Sequence, residues 1–302
     1  MWSGVAWPKR RSREGWQGAP IFPMTRMVVV AIVNVGLACV ILCAGSVSAQ
    51  TTSPQTSPPV SPSATDGRGE FYVGWGYNTN RYAQTDIRFT QPTLGNDFTL
   101  HDVRFHDSPG LRDLFTSSPT VPQYNFQFGY YLSKNVAVEL KFIHAKAIVT
   151  QGQSVQATGT LGGAKIDSPL VLDTETLRYQ LNNGANFVLV NVVRRIPVFR
   201  APRDTGSVAL LLKAGGGFTV PHSENTVFGQ DNEKGFGVSG PALAVEVAVR
   251  VRAYKWLYGE VSQVGVWARY RDLQVFEGHA GQNLRASTTS FVLGVSIPVG
   301  EP

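Results

Sequence analysis

Few residues of this 302-residue chain have the types and spacing of a reactive site. His222-Ser223-Glu224 supplies a base, a nucleophile and a carboxylate, the ingredients of acyl transfer. The three are consecutive, however, and neighbours on an extended chain face opposite ways. The triplet therefore predicts a loop histidine rather than a convergent triad. His101, Asp102, His106 and Asp107 repeat a His-Asp pair. Imidazoles and carboxylates can hold a divalent ion, but no regular geometry turns these four to one point, and a solvated loop is the expectation. His144 is expected as an interfacial side chain near the outer end of a strand. Gly215-Gly216-Gly217 lacks the Lys-Ser/Thr that completes a phosphate cradle; within a strand it predicts relief of crowding. Both cysteines, Cys39 and Cys43, lie in an apolar leader. The chain beyond them has no thiol for a disulfide, a metal or catalysis, which suits an oxidising compartment. No catalytic residue, metal or cofactor is expected.

The remaining charges follow a different logic. Glu70, Glu139, Lys141, Lys213, Glu246, Arg250 and Glu260 occupy the polar positions of segments that alternate with period two, as do Gln123, Asn125 and Gln127. Phe71, Val73, Trp75 and Tyr77 alternate with Glu70, Tyr72, Gly74 and Gly76. Val136, Val138, Leu140 and Phe142 alternate with Ala137, Glu139, Lys141 and Ile143. Leu243 through Val251 alternate with Ala244, Glu246, Ala248 and Arg250. Such alternation marks strands with one apolar face, and runs of about ten residues suffice to cross a bilayer as tilted strands.

Eight strands are predicted near 70–78, 123–132, 136–146, 184–195, 207–219, 240–253, 256–269 and 287–299. Their connections alternate in length. Those at 79–122, 147–183, 220–238 and 271–287 are long. Those at 133–135, 196–206 and 254–255 are short. Short turns at one end and long loops at the other are the plan of an antiparallel transmembrane β-barrel. Asp86–Phe89 with Phe98–Leu100, and a second pair within 147–183, would raise the number to ten or twelve strands. In 256–269, Val264 and Val266 share parity with Glu260, which predicts a bulge. A soluble β-sandwich would alternate in the same way, but would not need the aromatic load at the strand ends: Trp75, Tyr77, Tyr124, Tyr130, Tyr131, Tyr254, Trp256, Tyr258, Trp267 and Tyr270.

Composition agrees. Charged residues are 16% of the chain, against about 25% in soluble proteins. The net charge of +6 belongs mostly to residues 1–49, where Lys9, Arg10, Arg11, Arg13 and Arg26 face Glu14 alone. No basic stripe suits a nucleic acid. Met27 to Cys43 is apolar but for one residue and is followed by small residues ending Val47-Ser48-Ala49. That order predicts a secretory signal peptide over 1–49, cleaved after Ala49, with Met24 as an alternative start. Residues 50–68, rich in Ser, Thr and Pro, predict a disordered linker before a barrel over 69–300.

The stretch Tyr124–Leu140 resembles the strand–turn–strand unit of small bacterial outer-membrane β-barrel proteins, and Ser290–Gly300 is similar to their closing strand. The resemblance implies an outer-membrane address, with lipid and lipopolysaccharide around the barrel and the barrel-assembly machinery as a partner. It departs at the end, where Val299-Gly300-Glu301-Pro302 replaces the usual terminal Phe or Trp. An eight-stranded barrel is just filled by its side chains. The expectation is thus a plugged barrel or a very narrow channel in which four carboxylates face three cations, with a structural or binding role and no catalysis. Two alternatives carry their own signatures. A lipid-modifying enzyme resembling lipid A deacylases would need a lipid-facing Ser or His at the outer rim, and a surface adhesin or receptor would act through its long loops.

Overall fold

The computed structural model describes residues 69–110, 122–181, 184–202, 206–233, 236–254 and 256–299. The expected signal peptide (1–49) and linker (50–68) lie outside these residues. The described chain is built from antiparallel strands: β1 (Glu70–Tyr82), β2 (Thr85–Gln91), β3 (Asn96–Val103), β4 (Phe105–His106), β5 (Tyr124–Ser133), β6 (Val136–Ile143), β7 (Ala147–Val149), β8 (Gln153–Leu161), β9 (Ala164–Leu172), β10 (Leu177–Leu181), β11 (Phe187–Arg200), β12 (Ser207–Thr219), β13 (Glu224–Val227), β14 (Gln230–Glu233), β15 (Gly240–Tyr254), β16 (Leu257–Val275) and β17 (Gly278–Pro298).

Eight of them close a barrel in the order β1-β5-β6-β11-β12-β15-β16-β17, sealed by the pairing of β1 with β17 from Glu70–Pro298 to Tyr82–Ala286. Closure removes the sandwich alternative, because a sandwich leaves sheet edges open. The additional hairpin does form as β2 and β3, and 147–183 does hold strands, but none joins the barrel. β2 pairs instead with the top of β17, and β3, β8 and β9 continue the same sheet. β4, β7, β10, β13 and β14 form a second sheet. Residues from both sheets share one apolar cluster, including Phe89, Phe98, Leu100, Leu172, Tyr179 and Leu181, which makes a packed head at the end of the barrel that carries the long connections.

Two expectations require correction. Residues 271–287 are not a loop: β16 and β17 run through them as one tall hairpin, with Val275 opposite Gly278. No bulge breaks β16 between Leu257 and Tyr270: its register with β17 is continuous over that span, and the shift on its other side, between Arg252 and Tyr254, puts the extra residue on β15. Val264 and Val266 do face inward with Glu260, and all three are buried. The interior simply changes from polar to apolar partway up the barrel.

The outer surface reverses that change. On β17 the outward residues Ile297, Val295, Leu293 and Phe291 are apolar, and then come Thr289, Ser287, Arg285 and Asn283. On the inward side, Ser296 and Ser290 give way to Ala286, Leu284 and Ala280, which belong to the head's apolar cluster. A strand passing from hydrocarbon into water must invert its two faces in this way, because the apolar face points outward in lipid and inward in a soluble core. The exposed belt around the barrel is otherwise made of Phe, Leu, Val and Ile, with Trp75, Tyr254, Trp256 and Trp267 among its exposed rings. Tyr131, Tyr258 and Tyr270, expected in that belt, are instead buried inside.

Candidate functional site

Six of the seven residues singled out by the alternation converge in the lumen. β12 carries Lys213 and β15 carries Glu246 as register partners; Arg250 of β15 sits opposite Glu260 of β16; Glu139 of β6 sits opposite Asn191 of β11. Lys213 Nζ donates to Glu139 at 2.9 Å and to Glu260 at 2.8 Å, and lies 3.1 Å from Glu246. Lys141 Nζ reaches both oxygens of Glu246 at 2.7 and 2.6 Å. Arg250 Nε donates to Glu260 at 2.8 Å, and the guanidinium lies 4.2 Å from the ring centres of both Tyr72 and Tyr258. Tyr72 donates its hydroxyl to Glu139 at 2.9 Å, and Asn191 donates to the other oxygen at 3.1 Å.

Beside the neighbour pairs Lys213–Glu246, Arg250–Glu260 and Glu139–Asn191, the other hydrogen bonds are chords across the lumen. Lys141 and Glu246 stand on strands separated by β11 and β12, and Gln127 bonds Tyr258 across β1 and β17. Three cations and three carboxylates therefore cross-link the lumen in a balanced layer whose carboxylate side chains are at most 2% exposed. Balance matters because an uncompensated charge in such a space is expensive.

Glu70 lies apart from this layer, at the end with short turns. It accepts from Arg195 at 3.0 Å and from the Ser296 hydroxyl, while the Arg195 guanidinium covers the Tyr131 ring at 3.9 Å. Arg195 was not expected, and it makes the fourth cation for the fourth carboxylate. β11 carries valines on its outward side and Phe187, Leu189, Asn191 and Val193 inward, and Arg195 continues that inward parity at the strand's expected end. At the opposite side of the layer, Asn78, Asn80, Gln123 and Thr288 bond one another, and Asp107 returns from the head to accept from the Asn80 amide at 2.7 Å and from the Gln123 side chain. Beyond them lies the apolar core.

The other chemical candidates disperse. Ser223 donates its hydroxyl to the Gln274 carbonyl at 3.2 Å and accepts from Asn225 at 2.8 Å, while His222 Nδ1 is 3.6 Å from Glu224. The hydroxyl is thus held by a backbone rather than by a base. His101 bonds Asp86 at 3.2 Å and Thr158 at 2.7 Å, His106 approaches Thr150 at 3.4 Å, and Asp107 faces the barrel mouth. Among the described residues no group of three His, Cys, Asp or Glu side chains is placed to hold a metal. His144 is buried rather than interfacial, bonded to Asn186 at 2.8 Å and stacked on Tyr124. The glycine run relieves crowding: a Cβ on Gly217 would stand 1.8 Å from the Val188 carbonyl oxygen, and one on Gly215 2.1 Å from that of Val190.

A closed antiparallel barrel, apolar outside and polar within, with short turns at one end and a built head at the other, is the architecture of a transmembrane β-barrel of the outer-membrane kind. No protein family and no curated protein matches the sequence. Solved outer-membrane proteins are similar to it in fold. Ail, the attachment invasion locus protein of Yersinia pestis, is 13% identical with a TM-score of 0.32, covering 76% of this chain and 99% of its own. OprG from Pseudomonas aeruginosa is 9% identical with a TM-score of 0.34, over 77% and 98%. The outer membrane protease OmpT from Escherichia coli is 8% identical with a TM-score of 0.34, over 77% and 98%.

Proposed function

We propose that this protein is a non-conducting outer-membrane barrel of a bacterium, exported through its leader, which acts without catalysis as a rigid stem for a surface head. The observation that carries the reading is the lumen. A layer of Lys141, Lys213, Arg250, Glu139, Glu246 and Glu260 bonded across its width lies under an apolar core, and both oppose the passage of hydrated solute. The address is supported by the exposed apolar belt and by the inversion of faces along β17. A structural or binding role is supported by the head, whose two sheets pack around aromatic residues such as Phe89, Phe98 and Tyr179. The engagement of Ser223 with the Gln274 carbonyl supports the absence of a hydrolytic centre.

Reconstitution of the chain lacking residues 1–49 into planar bilayers tests the proposal. The expected record shows no large, stable open level. A steady conductance of porin size would overturn the blocked lumen. Membrane fractionation with a heat-modifiability gel tests the address, and recovery of the chain as a freely soluble species would refute it. Lipid A mass spectra from cells with and without the gene should be identical if the protein does not modify lipid.

A further inference from the structure

On one side of the barrel the apolar belt ends in arginines. Arg81 follows Thr79 on the outward face of β1, Arg269 follows Trp267 on β16, and Arg285 lies above Ser287 and Thr289 on β17. Arg285 is the register partner of Trp267, and Arg269 is the partner of Asn283. Arg269 and Arg285 are thus diagonal neighbours on one face, a separation of roughly 7–8 Å between backbones. The Ala83 amide bonds the Arg285 carbonyl at 3.0 Å, which sets Arg81 on the other flank of the same row. All three are exposed and none forms an ion pair among the described residues. Beside them opens a groove of about 1070 Å³, lined by Arg269, Arg271, Arg285, Asn283, Thr85 and Thr90 among others. Its carboxylates are Asp86, Asp102 and Asp272; Asp86 is engaged by His101 and by the Asp102 amide at 3.0 Å, and the lining Arg88 is engaged by Asp97.

We propose that this row and groove dock the phosphorylated saccharide headgroup of an outer-leaflet glycolipid. The inference rests on the barrel spanning the outer membrane. Side chains of the same outward parity as Phe291 and Leu293 meet hydrocarbon in the belt, so a few residues higher they stand in the headgroup layer. Arginine forks suit phosphate oxygens in two-point contacts, and Asn and Thr side chains suit sugar hydroxyls. Trp267, next to Arg285 and Arg269, fixes the depth, because an indole ring prefers the interface. A soluble polyanion has no reason to bind at the height of that ring.

The test uses the chain lacking residues 1–49 in phosphatidylcholine nanodiscs doped with diphosphorylated lipid A or with lipid A stripped of phosphate. Retained lipid A per barrel is counted by mass spectrometry after washing. The unsubstituted protein should retain the phosphorylated form preferentially. Arg81→Ser/Arg269→Ser/Arg285→Ser should weaken retention by about a hundredfold, at roughly fivefold for each charge near an anionic surface. Lys165→Ser, on the head's β9, should leave retention unchanged. Equal retention by the triple variant, or by dephosphorylated lipid A, would overturn the proposal. Displacement by millimolar inorganic phosphate would also overturn it in favour of a free-anion site. A triple variant that keeps its heat-modifiable band and its retention sinks only this inference, whereas an unsubstituted chain that never inserts sinks the barrel reading on which it stands.

Discussion

Replacing Lys213 by Met tests whether the lumen layer is desolvated. Lys213 Nζ holds Glu139 at 2.9 Å, Glu246 at 3.1 Å and Glu260 at 2.8 Å. After its removal Glu246 keeps Lys141 and Glu260 keeps Arg250. Glu139 keeps only neutral donors, the Tyr72 hydroxyl and the Asn191 amide. It therefore becomes the uncompensated charge, in a residue with no exposed surface. Breaking a buried pair from one side costs about 3–5 kcal/mol, a fall of roughly two to nearly four decades in the folded-to-unfolded ratio. Adding Glu139→Gln removes the orphaned charge and should restore more than half of the loss. The assay is denaturant unfolding of the barrel in lipid vesicles, followed by tryptophan emission and by the gel shift of the folded form. A loss for Lys213→Met below about 1 kcal/mol, the range of solvent-exposed pairs, would refute the argument, for it would mean that water fills the layer. Failure of Glu139→Gln to rescue would show that the cost comes from packing rather than charge.

Three further outcomes follow from the same geometry. Gly217→Val should abolish folding into vesicles, since its Cβ meets the Val188 carbonyl oxygen at 1.8 Å, whereas Gly216→Ala, whose nearest neighbour is the Leu243 side chain at 3.2 Å, should fold with a modest loss; both are read from the gel shift. Leu293→Arg, in the middle of the exposed belt of β17, should cost about 2–4 kcal/mol of folding free energy in a bilayer; a neutral result would place that face in water. Asp173 accepts the amides of Thr176 at 2.7 Å and Glu175 at 3.1 Å in the turn before β10, and these bonds hold its carboxyl below the usual carboxylate range. A depressed carboxyl stabilises the fold above its unfolded pKa and loses that contribution as pH falls through its folded one. Amide exchange at Glu175 and Thr176 should therefore be slow at neutral pH and accelerate on acidification through and below the usual carboxylate range, and Asp173→Ala should exchange fast at every pH.

Much of the barrel was readable because period-two alternation reports directly which side of a strand meets lipid. Lys213 and Glu246, or Arg250 and Glu260, carried a polar signal between apolar neighbours, and backbone register then made them partners. Their chords across the lumen, such as Lys141 to Glu246, depend on barrel closure and could not be paired from spacing alone. Arg195 carried no clear signal because it is the last residue of the expected strand 184–195 and follows another arginine, Arg194, of the opposite parity. The sequence of residues 271–287 suggests a loop because alternation there continues in the opposite phase: Leu284 and Ala286 face inward, while Phe291 and Leu293 face outward. Read as one apolar face, the segment looks broken; read as two, it is one strand passing between two solvents.

That inversion also explains how stem and head cohere. β16 and β17 are at once walls of the barrel and framework of the head, so no hinge separates the two. The inward residues Val264, Val266, Ala244 and Leu189 belong to the same apolar cluster as Ile87, Phe89 and Tyr179 of the head. The core of the head thus extends down into the barrel until it meets the layer of polar side chains. To conduct, the protein would have to expose this core as well as part the ion pairs beneath it, and each step opposes hydration for a different reason: one exposes hydrocarbon, the other unpairs charge. Either barrier would close a narrow barrel. On the proposed non-conducting reading, their stacking in series would separate this molecule from a pore with a polar constriction, whose gate could yield to a single titration or substitution. For the same reason, loosening the Lys213 layer should lower stability without creating a channel.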